Sequence, residues 1–397
     1  METRSERADE PPPGAIDPVE ATRLAGSGRW REFLEDTGGG LRTARNFAFV
    51  IVAALIAAIP LFYMARSNPF VGYHALVQGS VGSRYAIGET LVETMPLFLS
   101  GLAVAFAFQG GLFNIGVEGQ LLMGGLAAGT LGTKLALPAG IHLAVCILGA
   151  MVAGALWALV PGLLKAWRGV HEVITTIMLN YVAFSVSRFF VKPDGLLVSK
   201  SQPSATDLVR PTAVLPNVWA GTRLHAGIWV SVLAGIFCWY LLFRTPMGYR
   251  LRVAGRNPVA ARFHGIRPGR LTVQVMLISG AFAGLAGAVE VLGVFHRYYD
   301  AFSPGYGFDA IAVALLGALN PIGVAVAGAF FGMLRAGSTM LQAVGGVSRD
   351  LISVFSGLVV GFAAAVPLVD RVLRRRRSGP PPATSSSTEH AQSGVST

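Results

Sequence analysis

Apolar residues fall along this chain in long blocks, not in alternation. Blocks of about 18 or more largely uncharged residues read as membrane-crossing helices. The blocks are Phe47–Ala65, Leu91–Gln109, Ile115–Leu135, Ile141–Leu164, Val173–Val191, Ile228–Phe243, Leu271–Val294, Ala310–Leu319, Pro321–Met340 and Leu351–Val369. The eighth is too short to cross alone. It is expected to form a broken or re-entrant pair with the ninth, hinged at Asn320-Pro321, because Pro321 has no N–H with which to continue a helix. The pattern predicts an all-α fold, a polytopic transmembrane helical bundle of about ten membrane elements. Residues 1–45 form a flexible tail, 46–370 the membrane domain, and 371–397 a basic stretch followed by a Ser/Thr/Pro-rich, disordered end.

Composition agrees. Of 397 residues 53% are hydrophobic and 13% charged, and the mean hydropathy is +0.56. A soluble domain usually carries about 25% charge. The net charge of +11 does not imply nucleic acid, since no soluble basic domain exists to bind it. The arginines sit beside span ends, where they set orientation. Arg42 and Arg45 precede the first span, Lys165 and Arg168 follow the fourth, seven arginines from Arg244 to Arg270 fill the loop after the sixth, and Arg371 and Arg374 to Arg377 follow the last. With an even number of crossings all four groups share one side. Both termini and the 244–270 loop are then expected in the cytoplasm, and 192–227 outside, in a multi-pass cell-membrane protein. The first apolar run reads as an uncleaved anchor. Cys146 and Cys238 each lie within an apolar run and make neither a disulfide framework nor a metal site.

Four segments carry candidate chemistry. In Gln109–Gly125, QGGLFNIGVEGQLLMGG, Gly110-Gly111 ends one helix, and Asn114, Glu118 and Gln120 open the next. Polar groups at membrane depth are expensive and tend to face a cavity. Glu118, four residues after Asn114, is placed on its helical face, and Gln120 elsewhere. These residues read either as a polar wall of a substrate path or, for Glu118, as a cap on a neighbouring helix. In His171–Tyr181, Glu172, Thr175, Thr176 and Asn180 recur along one helix side. Asn180 could read a base or sugar hydroxyl, or bond between helices. In Arg244–Arg270, Asn257 reads as an N-cap, Pro258 as the first residue of a short helix, and Gly265 as its end. Such a helix is suited to docking into a groove on a partner. In Tyr298–Asn320, Asp309 is a helix cap or a pathway residue, with capping favoured.

Three glycine pairs at four-residue spacing, Gly125/Gly129, Gly280/Gly284 and Gly328/Gly332, allow close helix approach. Phe113–Gly125 and Phe308–Gly317 echo one another, each with a Phe-Asn or Phe-Asp pair at the head of an apolar run. Enzyme signatures are missing: there is no G-x-x-x-x-G-K-[ST] loop, no H-E-x-x-H and no Ser/His/Asp set. A carrier running on ion gradients needs paired acids at the membrane midplane. The acids inside the spans, Glu93, Glu118 and Glu290, are each expected near a span end, which argues against that class.

GLFNIGVEGQLLMGG (111–125), EVITTIMLNYVA (172–183), RVAGRNPVAARFHGI (252–266) and GFDAIAVALLGALNPIG (307–323) resemble permeases of the branched-chain amino-acid/ribose type of ABC importer, and among these the nucleoside subgroup. The resemblance spans about residues 45–370. It implies a non-enzymatic transport subunit with no cofactor of its own, ATP and magnesium being held by a partner. The implied partners are an ATPase with two fused nucleotide-binding domains, a paralogous second permease, an extracytoplasmic substrate-binding lipoprotein and membrane lipid, with no nucleic acid. Arg256, Asn257, Pro258, Ala260, Ala261 and Gly265 would couple to the ATPase. Phe113, Asn114, Glu118, Gln120, Asn180 and Tyr181 would lie near the substrate path, with nucleosides the first expectation and ribose or another small metabolite the alternative. Ala318 departs from the polar residue expected in many relatives.

Overall fold

The computed structural model describes residues 48–60, 62–63 and 67–345, with isolated positions between 354 and 362. The tenth expected span, both tails and their arginines lie outside these residues. The chain divides into Met1–Ala53 and Ala54–Thr397. Of the first unit only the opening turns of α1 (Ala48–Pro60) are described. The rest of this account concerns the second.

Its described residues fold as helices: α2 (Pro69–Val81), α3 (Arg84–Gln109), α4 (Val117–Lys134), α5 (Ile141–Arg168), α6 (Glu172–Val191), α7 (Gly227–Arg244), α8 (Pro246–Arg256), α9 (Pro258–Phe263), α10 (Pro268–Glu290), α11 (Tyr306–Leu316) and α12 (Pro321–Gly345). A π-helical turn, Val291–Phe295, extends α10. Among the described residues, α3, α5, α6, α7, extended α10 and α12 are long and apolar enough to cross a membrane. The only β-pairing there is two isolated bridges, Ala205 with Tyr299 and Asn217 with His225.

Three Asn-Pro pairs start helices in the same way. Asn68 Oδ1 accepts from Phe70 N at 2.9 Å, Asn257 Oδ1 from Val259 N at 3.1 Å, and Asn320 Oδ1 from Ile322 N at 3.0 Å. In each, the asparagine satisfies a helix-start N–H and the proline supplies a preset φ. The expected short helix at 258–263 is present, and Gly265 follows it at φ +71°. Two further helices were not expected. α2 is the first Asn-Pro helix, and α8 starts at Thr245-Pro246 with the Thr245 hydroxyl capping Gly248 N at 3.2 Å. At 13 and 11 residues both are too short to read as spans.

α3 and α10 form the core. Every residue from Met95 to Ala107 is buried, and α10 packs against α3, α4 and α5. Gly284 sits where three helices meet. A Cβ there would strike the Ala150 carbonyl of α5, and a Cβ on Gly124 of α4 would strike Gly284 itself. The Gly280/Gly284 pair thus allows the close approach expected of it. Gly125 shares in that approach, since a Cβ on Gly287 of α10 would stand 2.6 Å from its N, and Gly125 and Gly129 also make room for the Phe302 and Tyr298 side chains.

The α11–α12 pair packs together around a turn at Gly317–Asn320, as anticipated, though α11 begins at Tyr306 rather than 310. Ala318 and Leu319 take left-handed φ values of 52° and 58°, each costing about 1–2 kcal/mol. Gln109 Nε2, at the end of α3, holds the turn by donating to the Leu319 carbonyl at 3.1 Å.

Candidate functional site

Two helices, α4 and α11, begin inside the bundle. Each is delivered there by a non-helical segment, and the two segments enter from opposite ends.

The first, residues 110–116, leaves α3 at its C-terminal end, beside the arginine-rich α8. Gly111 takes φ +73°, and an added Cβ there would stand 3.0 Å from Gly255 Cα. Asn114 then bonds Ser279 Oγ on α10 at 2.8 Å, and Ser279 Oγ donates to the Ala103 carbonyl at 2.7 Å. Ala103 is about 9 Å from the end of α3, at 1.5 Å per residue, so the segment climbs into the bundle before α4 starts. Irregular backbone at that depth must be satisfied by protein, and side chains do so here. Asn114 and Gln120 exchange two bonds, at 2.9 and 3.0 Å. Asn114 Oδ1 also accepts from Gly116 N at 3.0 Å. Asn180 on α6 donates to the Ile115 carbonyl and accepts from Gly119 N, both at 2.9 Å. Glu172, paired with Lys165 at 2.8 Å, accepts from Phe113 N at 3.5 Å.

This corrects the expected helix face. The Gly break runs on through Gly116, so Asn114 is not on α4, and its side chain meets Gln120 rather than sharing a face with Glu118. Asn114, Glu118, Gln120 and Asn180 are buried, whereas Phe113 is 51% and Tyr181 65% exposed, on outward faces.

The second segment, 296–305, enters from the opposite end and is built from aromatics. Tyr298 and Phe302 rings lie 5.2 Å apart, and Phe295 packs on Tyr299 and Phe302 at 5.8 and 6.1 Å. Thr206 N donates to the Tyr298 carbonyl at 2.9 Å, and Tyr298 N to Thr206 Oγ1 at 3.0 Å. At its end the Tyr306 hydroxyl donates to Glu93 at 2.9 Å, about 14 Å inside the other end of α3. The two segments meet at one residue: Glu118, in the first turn of α4, accepts from Gly307 N, in the first turn of α11, at 2.6 Å. The carboxylate thereby faces two helix N-termini, whose partial positive charge it offsets.

Beside this junction lies a charge cluster that the sequence did not assemble. Arg335 of α12 donates to Asp309 at 2.6 Å and stacks over Tyr306 at 4.6 Å. Asp309 thus pairs with an arginine instead of capping its own helix. Glu290, 2% exposed, ends α10 beside Glu93, close enough for their charges to interact. Glu93 lies further inside its helix than expected, because α3 starts seven residues earlier, at Arg84, whereas Glu290 stays near the end of its span, which runs to Phe295 instead of Val294. The expected argument from shallow position therefore no longer covers Glu93. Interior acids are marks of function in membranes generally, so class has to be decided on other grounds.

At the basic end, α8 and α9 make an elbow. Gly255 abuts the 110–116 break, where an added Cβ would strike the Gln109 carbonyl. One residue later the segment expected to dock a partner begins, and on it Val259 and Phe263 are 65% and 87% exposed while Ala261 is 1% exposed. The outward surface of α9 therefore includes Val259 and Phe263, which alanine-centred reading had passed over, and Ala261 packs inward.

Residues 86–364 match the family described as branched-chain amino acid transport system, permease component. The chain belongs to that family. Three relatives cover most of both partners. A guanosine ABC transporter permease of Bacillus subtilis is 39% identical over 79% of this chain and 91% of its own. A glucose ABC transporter permease of Haloferax volcanii is 34% identical over 79% and 84%, and a nucleoside ABC transporter permease of Lactococcus lactis 30% over 82% and 91%. No solved structure matches. This permease is therefore a multi-pass transport subunit of an ABC system, and the class of ion-driven carriers is set aside on kinship.

Proposed function

We propose that this permease imports nucleosides, driven by ATP hydrolysis on a separate chain. The observation that carries the cargo is the 39% identity, over 91% of its length, to a guanosine permease. The partners are an ATPase with two fused nucleotide-binding domains, a second paralogous permease and a substrate-binding lipoprotein. ATP and magnesium belong to the ATPase, and this chain carries no cofactor.

The geometry supports a division of labour. Half-helices whose N-termini meet within a bundle are how transporters place irregular backbone beside a path. Asn114, Glu118, Gln120 and Asn180 hold that backbone in place. Phe113 and Tyr181, turned outward, offer uncharged aromatic surface to a neutral base on the side facing the second permease. Arg256, Asn257, Pro258, Ala260, Ala261 and Gly265 shape the segment that meets the ATPase. Movement there reaches the 110–116 break through the Gly255–Gly111 contact. A ligand or nucleotide shifts such a device only by binding its two states differently.

The glucose relative keeps a sugar cargo as a second reading. ATPase activity of the reconstituted complex, with its binding protein loaded in turn from nucleosides, ribose and glucose, separates the two. Stimulation by nucleosides alone is expected. Stimulation by a sugar with no response to any nucleoside overturns the cargo assignment.

A further inference from the structure

The end of α5 and the start of α10 leave a cleft of about 500 Å³, lined by Ala166, Trp167, Gly269, Arg270, Val273 and Gln274. Arg270 is one wall, and Arg168 and Arg267 flank it in sequence. None of these three arginines takes part in an ion pair among the described residues, whereas nearby Lys165 is neutralised by Glu172. The cleft lies beyond Gly265, on α10 rather than on the α8–α9 elbow.

What leads into it is apolar. Leu148, Val152, Leu156, Val160 and Leu164 recur every four residues along α5 and are all exposed, so they form one stripe along the helix. The stripe runs to Trp167, 77% exposed, which is the other wall of the cleft. Tryptophan at the end of an apolar helix face marks the membrane–water boundary.

We propose that this cleft binds the headgroup of an anionic phospholipid, with the acyl chains lying along the α5 stripe. A free phosphate would satisfy the arginines and leave the stripe bare. A zwitterionic lipid would cover the stripe and leave the arginines without a counter-charge. An acidic loop of a partner protein would meet the arginines but not the stripe that continues from them. Only a lipid with net negative charge matches both halves of the surface, and a basic pocket between helix ends at the membrane boundary is the chemistry that selects such headgroups.

The test uses the full-length permease complex in nanodiscs. Spin-labelled phosphatidylglycerol and phosphatidylcholine report the fraction of each lipid immobilised on the protein. The wild type is expected to favour phosphatidylglycerol, and Arg270→Gln to reduce that preference about fivefold, the weight of one arginine near a charged surface. Arg270→Lys keeps it, which separates lost charge from lost folding, and Leu156→Ser weakens immobilisation of both lipids. Equal immobilisation of the two lipids by the wild type overturns the proposal, as does an unchanged preference in Arg270→Gln. Full displacement of phosphatidylglycerol by soluble glycerol phosphate also overturns it, in favour of a small-anion site. Protection of an Arg270→Cys thiol by the ATPase, but not by lipid, overturns it in favour of a protein contact.

Discussion

Residues 110–116 and 296–305 perform the same task with opposite chemistry. Each carries the chain into the bundle without helix and sets down a helix N-terminus, and the two N-termini share Glu118. The inner segment is held by side-chain amides, Asn114, Gln120 and Asn180, bonded to each other and to backbone. The other is held mainly by packed rings and backbone bonds to the 204–209 loop, with polar ties at its edge, from Arg188 to Asp300 and from Tyr298 N to Thr206 Oγ1. Amides specify one geometry, because a misplaced amide in lipid leaves unpaired donors. Rings tolerate sliding. The contrast assigns the rigid wall to the side that meets the α8–α9 elbow, and the yielding one to the side that meets the 204–209 loop.

The largest expected effect breaks the aromatic side. Phe302→Ala removes a ring that is 7% exposed and should destabilise the protein by about 3–5 kcal/mol. It should raise amide exchange across 296–305 while 110–116 stays protected. Equal deprotection of both segments would show that they are one unit and remove the contrast.

Next in size is the shared residue. Glu118→Ala leaves Gly307 N–H buried and unpaired, a loss of about 2–3 kcal/mol, and should deprotect both segments. Glu118→Gln keeps an oxygen acceptor and should recover thermal stability. If Glu118→Gln unfolds at the Ala variant's temperature, the charge rather than the hydrogen bond holds the junction.

The smallest effect is set by pH. His225 is fully buried against Gly293, in the π turn that opens the outer segment. Burial pushes its pKa down to about 4 from an ordinary 6.5. Because the folded value is the lower one, the unfolded chain takes up the proton first. Stability is full above pH 6.5 and falls as pH drops towards 4, by about 1 kcal/mol at pH 5.5. Thermal unfolding at pH 7.5 and 5.5 should show this loss, and His225→Phe should remove it. The same pH dependence in His225→Phe would mean that another group is responsible.

The inner segment was legible in the sequence because Gly110-Gly111 and its amides are conspicuous among apolar residues. The outer one was not, since Phe295, Tyr298, Tyr299 and Phe302 read alike in a loop, in a helix or at an interface. The expected Phe113/Phe308 echo does not fall on equivalent positions: Phe113 precedes α4 in the irregular segment, whereas Phe308 is already inside α11. The three Asn-Pro pairs announce helix starts equally well, but only those beside recognisable spans or in the arginine loop were read, and α2 was passed over. Distances between separate spans were beyond reach. Nothing in the order of residues brings Arg335 to Asp309, or Glu93 to Tyr306, because the first contact depends on how α12 folds back along α11 and the second on how far α3 and α11 extend along one another. Helix α9 was found, but not its rotation. Six residues carry too little periodicity to show that Ala261 faces in while Val259 and Phe263 face out.

The central claim is that a partner ATPase drives this permease through α9. The direct measurement is ATP-dependent guanosine uptake into liposomes holding the whole transport complex, with wild type and Phe263→Asp compared at equal insertion. A charge at this 87% exposed apolar position should reduce uptake at least about tenfold, as loss of an interface anchor does, while thermal stability stays at the wild-type value. Uptake at the wild-type rate in that variant would contradict the account.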